Sequence, residues 1–130
     1  MKVMVPEDID ERKALCNKAR TLIKNRELAE CEKLLCDAMG KYPHRPEPNN
    51  LWGILLEKLG DHILAMKHFR AAWALDPAYR PARQNLDLYG SFYPVGHVAF
   101  DESDCLPDPL KSRFDIEYDI RGVGHAVRRR

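Results

Sequence analysis

The sequence predicts an all-helical domain of two helical hairpins and a capping helix, followed by a C-terminal extension with strand character. The main observation is an internal repeat, because the segment that ends at Pro43 recurs 34 residues later in the segment that ends at Pro77. A period of this length is typical of helical hairpins stacked in a solenoid. The other two observations are the helical periodicity within each copy and a strict apolar-charged alternation in 114–121.

Six pairs of positions keep the register of the repeat, and each pair has a role in packing. Small residues at three pairs allow two antiparallel helices to approach closely, larger apolar residues at two pairs fill the space between them, and a proline ends the second helix. The pairs are Ala19 with Gly53, Leu22 with Leu56, Cys31 with Ala65, Leu35 with Phe69, Ala38 with Ala72, and Pro43 with Pro77.

The first hairpin is predicted from a start signal and two apolar helical faces. Pro6 and a capping-box pattern in 8–11 mark the start of the first helix, and a turn follows at 25–26. The second helix begins at about Glu27 and is ended by Gly40 and Pro43. The apolar faces contain Leu15, Ala19, Leu22 and Ile23 in the first helix, and Leu28, Cys31, Leu34, Leu35 and Ala38 in the second.

The second hairpin follows a short proline-rich link, 44–48, which we interpret as a rigid step between repeats. Its first helix is predicted from Asn50 to Leu59, and the turn at 60–61 provides Asp61 as the N-cap of the next helix. The face of that helix contains Ala65, Phe69, Ala72 and Trp73. A last helix over 80–90 is predicted to cover the open edge of the second hairpin, as stacked repeats require.

The second copy resembles the tetratricopeptide repeat family. The resemblance lies in the motifs Trp52-Gly53-x-x-Leu56, Ala65-x-x-x-Phe69-x-x-Ala72 and Pro77, and the first copy fits the same pattern at Ala19, Leu22, Cys31, Leu35, Ala38 and Pro43. Lys18 and Asn49 depart from the pattern, since both occupy positions that normally contribute to the core. The resemblance implies a short right-handed α-solenoid within residues 1–93, with repeats over about 12–45 and 46–79.

The extension, residues 94–130, has a different pattern from the helical domain. Every even-numbered residue of 114–121 is apolar and every odd one is charged, which is typical of a half-buried strand. We expect a weaker partner strand at Val95, Val98, Ala99 and Phe100. Two interpretations stay open: the extension is docked as an extended segment, or it is partly disordered and ends in a solvated arginine run.

Composition excludes several classes of protein. The chain has 130 residues, 45% hydrophobic and 32% charged, and no apolar run that approaches the roughly 20 residues of a membrane span. Its N-terminus lacks the apolar core of a secretory signal, and its four cysteines form no C-x-x-C pair, so we expect a reduced protein in the cytoplasm. A net charge of +1 gives no general reason to bind nucleic acid or an anionic membrane.

The resemblance implies a binding module, because in this family the first helices of successive repeats line a groove that holds a peptide of another protein. Carried over to this chain, the groove positions are Cys16, Arg20, Ile23 and Lys24 in the first copy, Asn50, Ile54, Glu57 and Lys58 in the second, and Gln84 and Leu88 in the cap. We therefore expect a protein-protein interaction adaptor or scaffold.

The charges of this predicted groove favour a peptide with a hydrophobic anchor and an acidic flank. Arg20, Lys24 and Lys58 supply the positive charge, and the amide of Asn50 can pair with a peptide backbone. The alternative interpretation is that these cations only keep the surface soluble. Acidic residues in 115–119 make the extension itself a candidate ligand of the groove. The second hypothesis for function is therefore that the extension, residues 94–130, mediates a homo-oligomer or covers the groove of its own chain.

Other functions have little support in the sequence. Motifs for a P-loop, a zinc protease or a serine hydrolase nucleophile are missing, so we predict no catalytic residues and no cofactor. A thiol or metal sensor is a third hypothesis, but Cys31 takes the place of Ala65 in the repeat and is predicted to be a small buried residue. We therefore predict no metal site.

Overall fold

The computed structural model describes residues 6–91, 96–105, 117–118 and 124–125, with side chains in 10–91 and 96–105. Most of these residues belong to five α-helices, which confirms the all-helical class predicted for the domain. The elements are α1 (Pro6–Lys24), α2 (Leu28–Lys41), α3 (Pro46–Leu59), α4 (His62–Leu75), α5 (Arg80–Gly90), a 3₁₀ helix (Glu102–Asp104), β1 (Glu117–Tyr118) and β2 (Gly124–His125).

The helices pack in chain order, and the odd-numbered helices also contact one another. Each α-helix contacts the next along the chain, α1 contacts α3, and α3 contacts α5. Thus α1, α3 and α5 lie side by side in one row. In the part of the chain that the structure describes, no helix is both long and apolar enough to cross a bilayer.

The close approach of α3 and α4 depends on Gly53. A Cβ atom built on this glycine would lie 2.4 Å from Cε1 of Phe69, far closer than two carbon atoms can approach. Phe69 itself is fully buried, which contributes roughly 2–3 kcal/mol to folding. The repeat positions Ala19, Cys31, Leu35, Ala65 and Ala72 are buried as well, as the packing roles assigned to the repeat require.

Both predicted turns are present, and each uses a left-handed backbone conformation. Arg26 has φ of 63° in the turn after α1, and Gly60 has φ of 87° at the end of α3. Oδ1 of Asp61 accepts a hydrogen bond from the Leu64 backbone N–H at 3.2 Å, which confirms Asp61 as the N-cap of α4.

The start of α3 was predicted wrongly, and the end of α2 correctly. The link 44–48 is not a separate step, because α3 begins at Pro46 and not at Asn50. Proline is favourable in the first turn of a helix, where its missing N–H has no intrahelical acceptor anyway. α2 ends at Lys41, between the predicted stop residues Gly40 and Pro43.

The two departures from the repeat pattern have simple structural explanations. Lys18 is exposed on α1, so the core receives no charge from it. Asn49 is buried, but its Oδ1 lies 2.9 Å from Nδ1 of His68, and the ring of His68 stacks on Trp52. The buried amide of Asn49 therefore has a polar partner between α3 and α4.

The extension differs from its predicted strand pairing. Val98, Ala99 and Phe100 do not form a strand, and Ala99 and Phe100 are instead buried against the helices. β1 pairs antiparallel with β2, with Glu117 opposite His125. The other residues of the predicted strand 114–121 lie outside the described residues, as does Val95, so strand character over that whole stretch stays a prediction.

Candidate functional site

The face formed by α1, α3 and α5 is covered by residues 97–105 of the same chain. We call this stretch the docked segment, and we call the face beneath it the groove; the groove side chains that hold the segment are Arg20, Asn50, Gln84 and Asn85. Of these side chains, α1 supplies one, α3 supplies one and α5 supplies two. Because these helices are adjacent, residues far apart in sequence converge on one stretch of backbone.

Two buried amides bind the main chain of Ala99. Nδ2 of Asn50 and Nδ2 of Asn85 donate to the carbonyl oxygen of Ala99 at 3.0 and 2.8 Å, and the N–H of Ala99 donates to Oδ1 of Asn85 at 2.8 Å. Nδ2 of Asn85 also donates to Oδ1 of Asn50 at 2.8 Å. Both asparagines are fully buried, so these bonds satisfy amides that would otherwise be costly to bury.

Gln84 binds the main chain at two other points of the docked segment. Its Nε2 donates to the carbonyl oxygen of His97 at 2.8 Å and to that of Asp104 at 3.2 Å. The segment is therefore held by its backbone near its start, at Ala99 and near its end. Backbone contacts of this kind do not depend on the side chains of the bound segment, so they are available to other extended peptides.

Arg20 binds the acidic side chains of the docked segment. Its Nη2 lies 2.6 Å from Oδ2 of Asp104 and 3.1 Å from Oδ1 of Asp101. Oδ2 of Asp104 also accepts the N–H of Phe100 at 3.1 Å. Burial alone would raise the pKa of Asp104, but the hydrogen bonds from Arg20 and Phe100 and the charge of Arg20 outweigh it and lower that pKa.

Phe100 anchors the docked segment in the core. It is 3% exposed and belongs to the main core cluster, which also contains Ile23 and Ile54. The guanidinium carbon of Arg20 lies 5.4 Å from the centre of its ring, within the range of a cation-π contact. Arg20 thus interacts with both the aromatic ring and the carboxylates that follow it.

The predicted groove residues divide into three groups. Arg20, Asn50 and Gln84 contact the docked segment as described above. Cys16, Ile23 and Ile54 belong to the same buried core cluster as Phe100 and are not open to solvent. Lys24 and Lys58 are exposed, Glu57 contacts His62, and Leu88 is half-buried. The expectation of an open groove with three cations is therefore corrected, since Arg20 is the cation that meets the acidic residues.

Asn85 is the main residue that the sequence reasoning missed. The repeat offset aligns Asn50 with Gln84, so the family pattern predicted Gln84, and not Asn85, as a groove residue. A signal was available, because Ala82, Asn85, Leu86 and Tyr89 recur at helical spacing and place an amide on an otherwise apolar face of α5. A polar residue on such a face needs a buried partner.

A cavity of about 680 Å³ lies beside the docked segment. Its lining includes Arg12, Cys16, Glu47, Tyr79 and Asp101. Nη1 of Arg12 lies 2.8 Å from Oε1 of Glu47 in a buried ion pair that joins α1 to the start of α3. Burial raises the pKa of the Cys16 thiol to about 12, with a further contribution from the charges of Glu47 and Asp101. The thiol is therefore neutral and is not activated as a nucleophile.

The chemistry of the described site is that of binding through hydrogen bonds, apolar burial and ion pairing. Within the described ranges, no group of three or more His, Cys, Asp or Glu residues is arranged to hold a metal ion. The four cysteines are free, with Cys16 and Cys31 buried, Cys36 exposed and Cys105 half-buried. The arrangement holds a peptide whose backbone is bound at Ala99 and whose side chains are acidic after Phe100.

Comparison with known proteins gives no relative from which a function could be transferred. No protein-family model, no curated protein and no solved structure matches this chain.

Proposed function

We propose that this protein is a non-catalytic interaction module whose groove binds an extended peptide segment of a partner protein. The observation that supports this proposal is the pair of amides, Asn50 and Asn85, that bind both backbone groups of Ala99. The docked segment then occupies the place of the partner peptide. A partner would have to displace it, and the chain would be inactive as a binder until that exchange takes place.

Three further features support the proposal. The row of α1, α3 and α5 supplies the groove, as expected for a tetratricopeptide-like adaptor in which the first helix of each repeat faces the ligand. Arg20 gives the groove a positive centre for an acidic peptide. Four free cysteines, two of them buried, agree with action in the reducing environment of the cytoplasm.

The second candidate function is self-assembly, and the same docked segment favours it. A segment that fits the groove of its own chain also fits the identical groove of a second copy, so exchange of residues 97–105 between two copies would give a dimer with the same contacts. The groove residues are the same in both cases. The two candidates differ in whether the wild-type chain is monomeric.

The proposed function can be tested by opening the groove in the full-length chain. Phe100→Ala combined with Asp104→Ala removes the anchor and one ion pair of the docked segment; we call this double mutant the opened variant. A fluorescein-labelled peptide of residues 96–105, the reference peptide, is titrated against wild type, opened variant and an Asp37→Ala control, whose change lies on the exposed surface of α2. Circular dichroism establishes that each chain is folded.

We expect the reference peptide to bind the opened variant at least about tenfold more tightly than wild type or the control. Equal, weak binding to all three folded chains would overturn the proposal. Sedimentation velocity on the same samples separates the two candidates. A monomeric wild type supports the adaptor, whereas a wild-type dimer that dissociates in the opened variant supports self-assembly.

A further inference from the structure

The docked segment indicates what the groove can recognise, since several of its residues are held by specific contacts and others are left exposed. We infer that the groove selects peptides with a small residue, then an aromatic residue, then an aspartate, and a second aspartate three positions later. This inference rests on the proposed function and narrows it to a class of partner. The pattern is read from Ala99, Phe100, Asp101 and Asp104.

The first requirement is a small residue at the position of Ala99. This residue is fully buried, and both of its backbone groups are fixed by Asn50 and Asn85. The asparagines themselves are fully buried, so they cannot retreat without loss of their mutual hydrogen bond. A longer side chain would therefore push the peptide backbone away from the amides.

The second requirement is an aromatic residue at the position of Phe100. Its ring is 3% exposed, and the guanidinium of Arg20 lies over it at 5.4 Å. An aliphatic side chain could fill part of the space in the core, but it would lose the attraction between the cation and the face of the ring. An aromatic side chain is therefore preferred over leucine at this position.

The third requirement is a pair of aspartates with two residues between them. The 3₁₀ helix turns the chain after Phe100, so that the carboxylates of Asp101 and Asp104 reach the same guanidinium. Asp101 also stabilises this turn, because its Oδ1 accepts the N–H of Ser103 at 3.0 Å. Glu102 is exposed and free to vary, whereas the exposed Ser103 donates its hydroxyl to Oδ1 of Asp101 and so supports the same turn.

The spacing matters as much as the charge. An acidic run with no aromatic residue ahead of it would place carboxylates near Arg20 without the anchor, and an extended Asp-x-x-Asp without a turn would carry its second carboxylate away from the guanidinium. The partner is thus a protein segment whose backbone is bound at the position of Ala99 and which then forms a single turn. A general polyanion does not meet these conditions.

A competition experiment on the opened variant tests the inference. Unlabelled peptides displace the labelled reference peptide, and each carries one change: Ala99→Leu, Phe100→Leu, Asp101→Asn, Asp104→Asn or, as the control, Glu102→Gln. We expect Ala99→Leu and Asp104→Asn to weaken binding about tenfold or more, Phe100→Leu and Asp101→Asn by several-fold, and Glu102→Gln by less than about twofold.

Arg20→Gln, introduced into the opened variant, provides the specific check. In this background the difference between the reference peptide and its Asp104→Asn version should shrink to within about twofold, because the partner of the carboxylate is gone. Equal competition by all five peptides would overturn the inference and leave the proposed function intact. Failure of the reference peptide to bind at all would overturn both.

Discussion

Asn50 and Asn85 are 35 positions apart in the chain, yet their side-chain amides meet at 2.8 Å beneath the backbone of Ala99. The two residues come from α3 and α5, so their contact requires the two helices to pack side by side. Their remaining hydrogen-bonding capacity is directed at one residue of the docked segment. The pair therefore couples the packing of the helical domain to the docking of the segment.

Loss of Asn85 should destabilise the protein. Asn85→Ala removes the acceptor of the Ala99 N–H and one donor to its carbonyl oxygen, and so leaves a buried N–H without its partner. We expect the free energy of unfolding to fall by about 1–3 kcal/mol, measured by urea denaturation. Asn25→Ala, a change in the exposed turn after α1, is the control and should alter stability by less than about 0.5 kcal/mol. Equal losses in both variants would contradict this assignment.

Two glycine substitutions inside helices should have opposite effects. Gly53→Ala places a Cβ against the ring of Phe69 and should destabilise the protein by about 1–3 kcal/mol, because α3 and α4 must move apart. Gly40→Ala adds a Cβ that meets nothing within 4 Å and should stabilise α2 by about 0.5–1 kcal/mol. Thermal denaturation of both variants measures the difference, and a stable Gly53→Ala protein would show that the helices are less closely packed than described.

Acid should weaken docking of the segment. The pKa of Asp104 is lower in the folded state than in the unfolded chain, so its ion pair with Arg20 stabilises the protein above the ordinary aspartate pKa of about 3.9. This contribution is lost as the pH falls through the lowered pKa. Wild type should therefore melt a few degrees above Asp104→Asn at pH 6, and the gap should close towards pH 3. The surface variant Asp37→Asn should show no such closing gap.

Alkylation should distinguish three of the four cysteines. Cys36 is exposed and should react first with iodoacetamide at pH 7, whereas burial raises the pKa of Cys31 to about 11 and should protect it until the chain unfolds. Cys105 is half-buried in the docked segment, with a pKa raised by burial to about 11. The opened variant should speed labelling of Cys105 by about tenfold and leave Cys31 unchanged, as followed by mass spectrometry. An unchanged rate at Cys105 would show that the substitutions do not release the segment.

The buried ion pair between Arg12 and Glu47 should tolerate removal of both charges better than removal of one. Arg12→Met leaves Glu47 buried without its closest cation and should cost about 3–5 kcal/mol of stability. The double variant, Arg12→Met with Glu47→Gln, should lose clearly less stability than Arg12→Met alone. A double-mutant cycle in urea measures the coupling, and simple addition of the two single losses would mean that the pair contributes no interaction of its own.

Some parts of this structure could be predicted from the sequence and others could not. Repeat positions such as Leu35 and Phe69 were predictable because each copy must bury the same helix faces. Equivalent buried positions therefore recur at the repeat offset. The start of α3 was missed because Pro46 and Pro48 look like a break, although proline in a first turn is compatible with a helix. Of the predicted groove positions, Arg20, Asn50 and Gln84 contact the docked segment.

The docking of Ala99 and Phe100 could not be predicted from local pattern. The short apolar stretch around them suits a strand as well as a buried irregular segment, and the choice depends on Asn85, which only the packing of α5 against α3 brings into place. Contacts between residues distant in sequence decided this part of the structure. Alternation of apolar and polar residues carries no information about which distant amides will be available.

The short connection before the docked segment determines how strongly a partner must bind to displace it. Six residues, 91–96, join α5 to His97, and a tether of this length holds a segment at an effective concentration on the order of millimolar. If the free segment bound the open groove with a Kd of about 10 μM, the tethered one would occupy it about 99% of the time. The apparent affinity of a competing peptide would then be roughly a hundredfold weaker than its intrinsic affinity. The chain would therefore bind only ligands that are abundant or have a very high affinity.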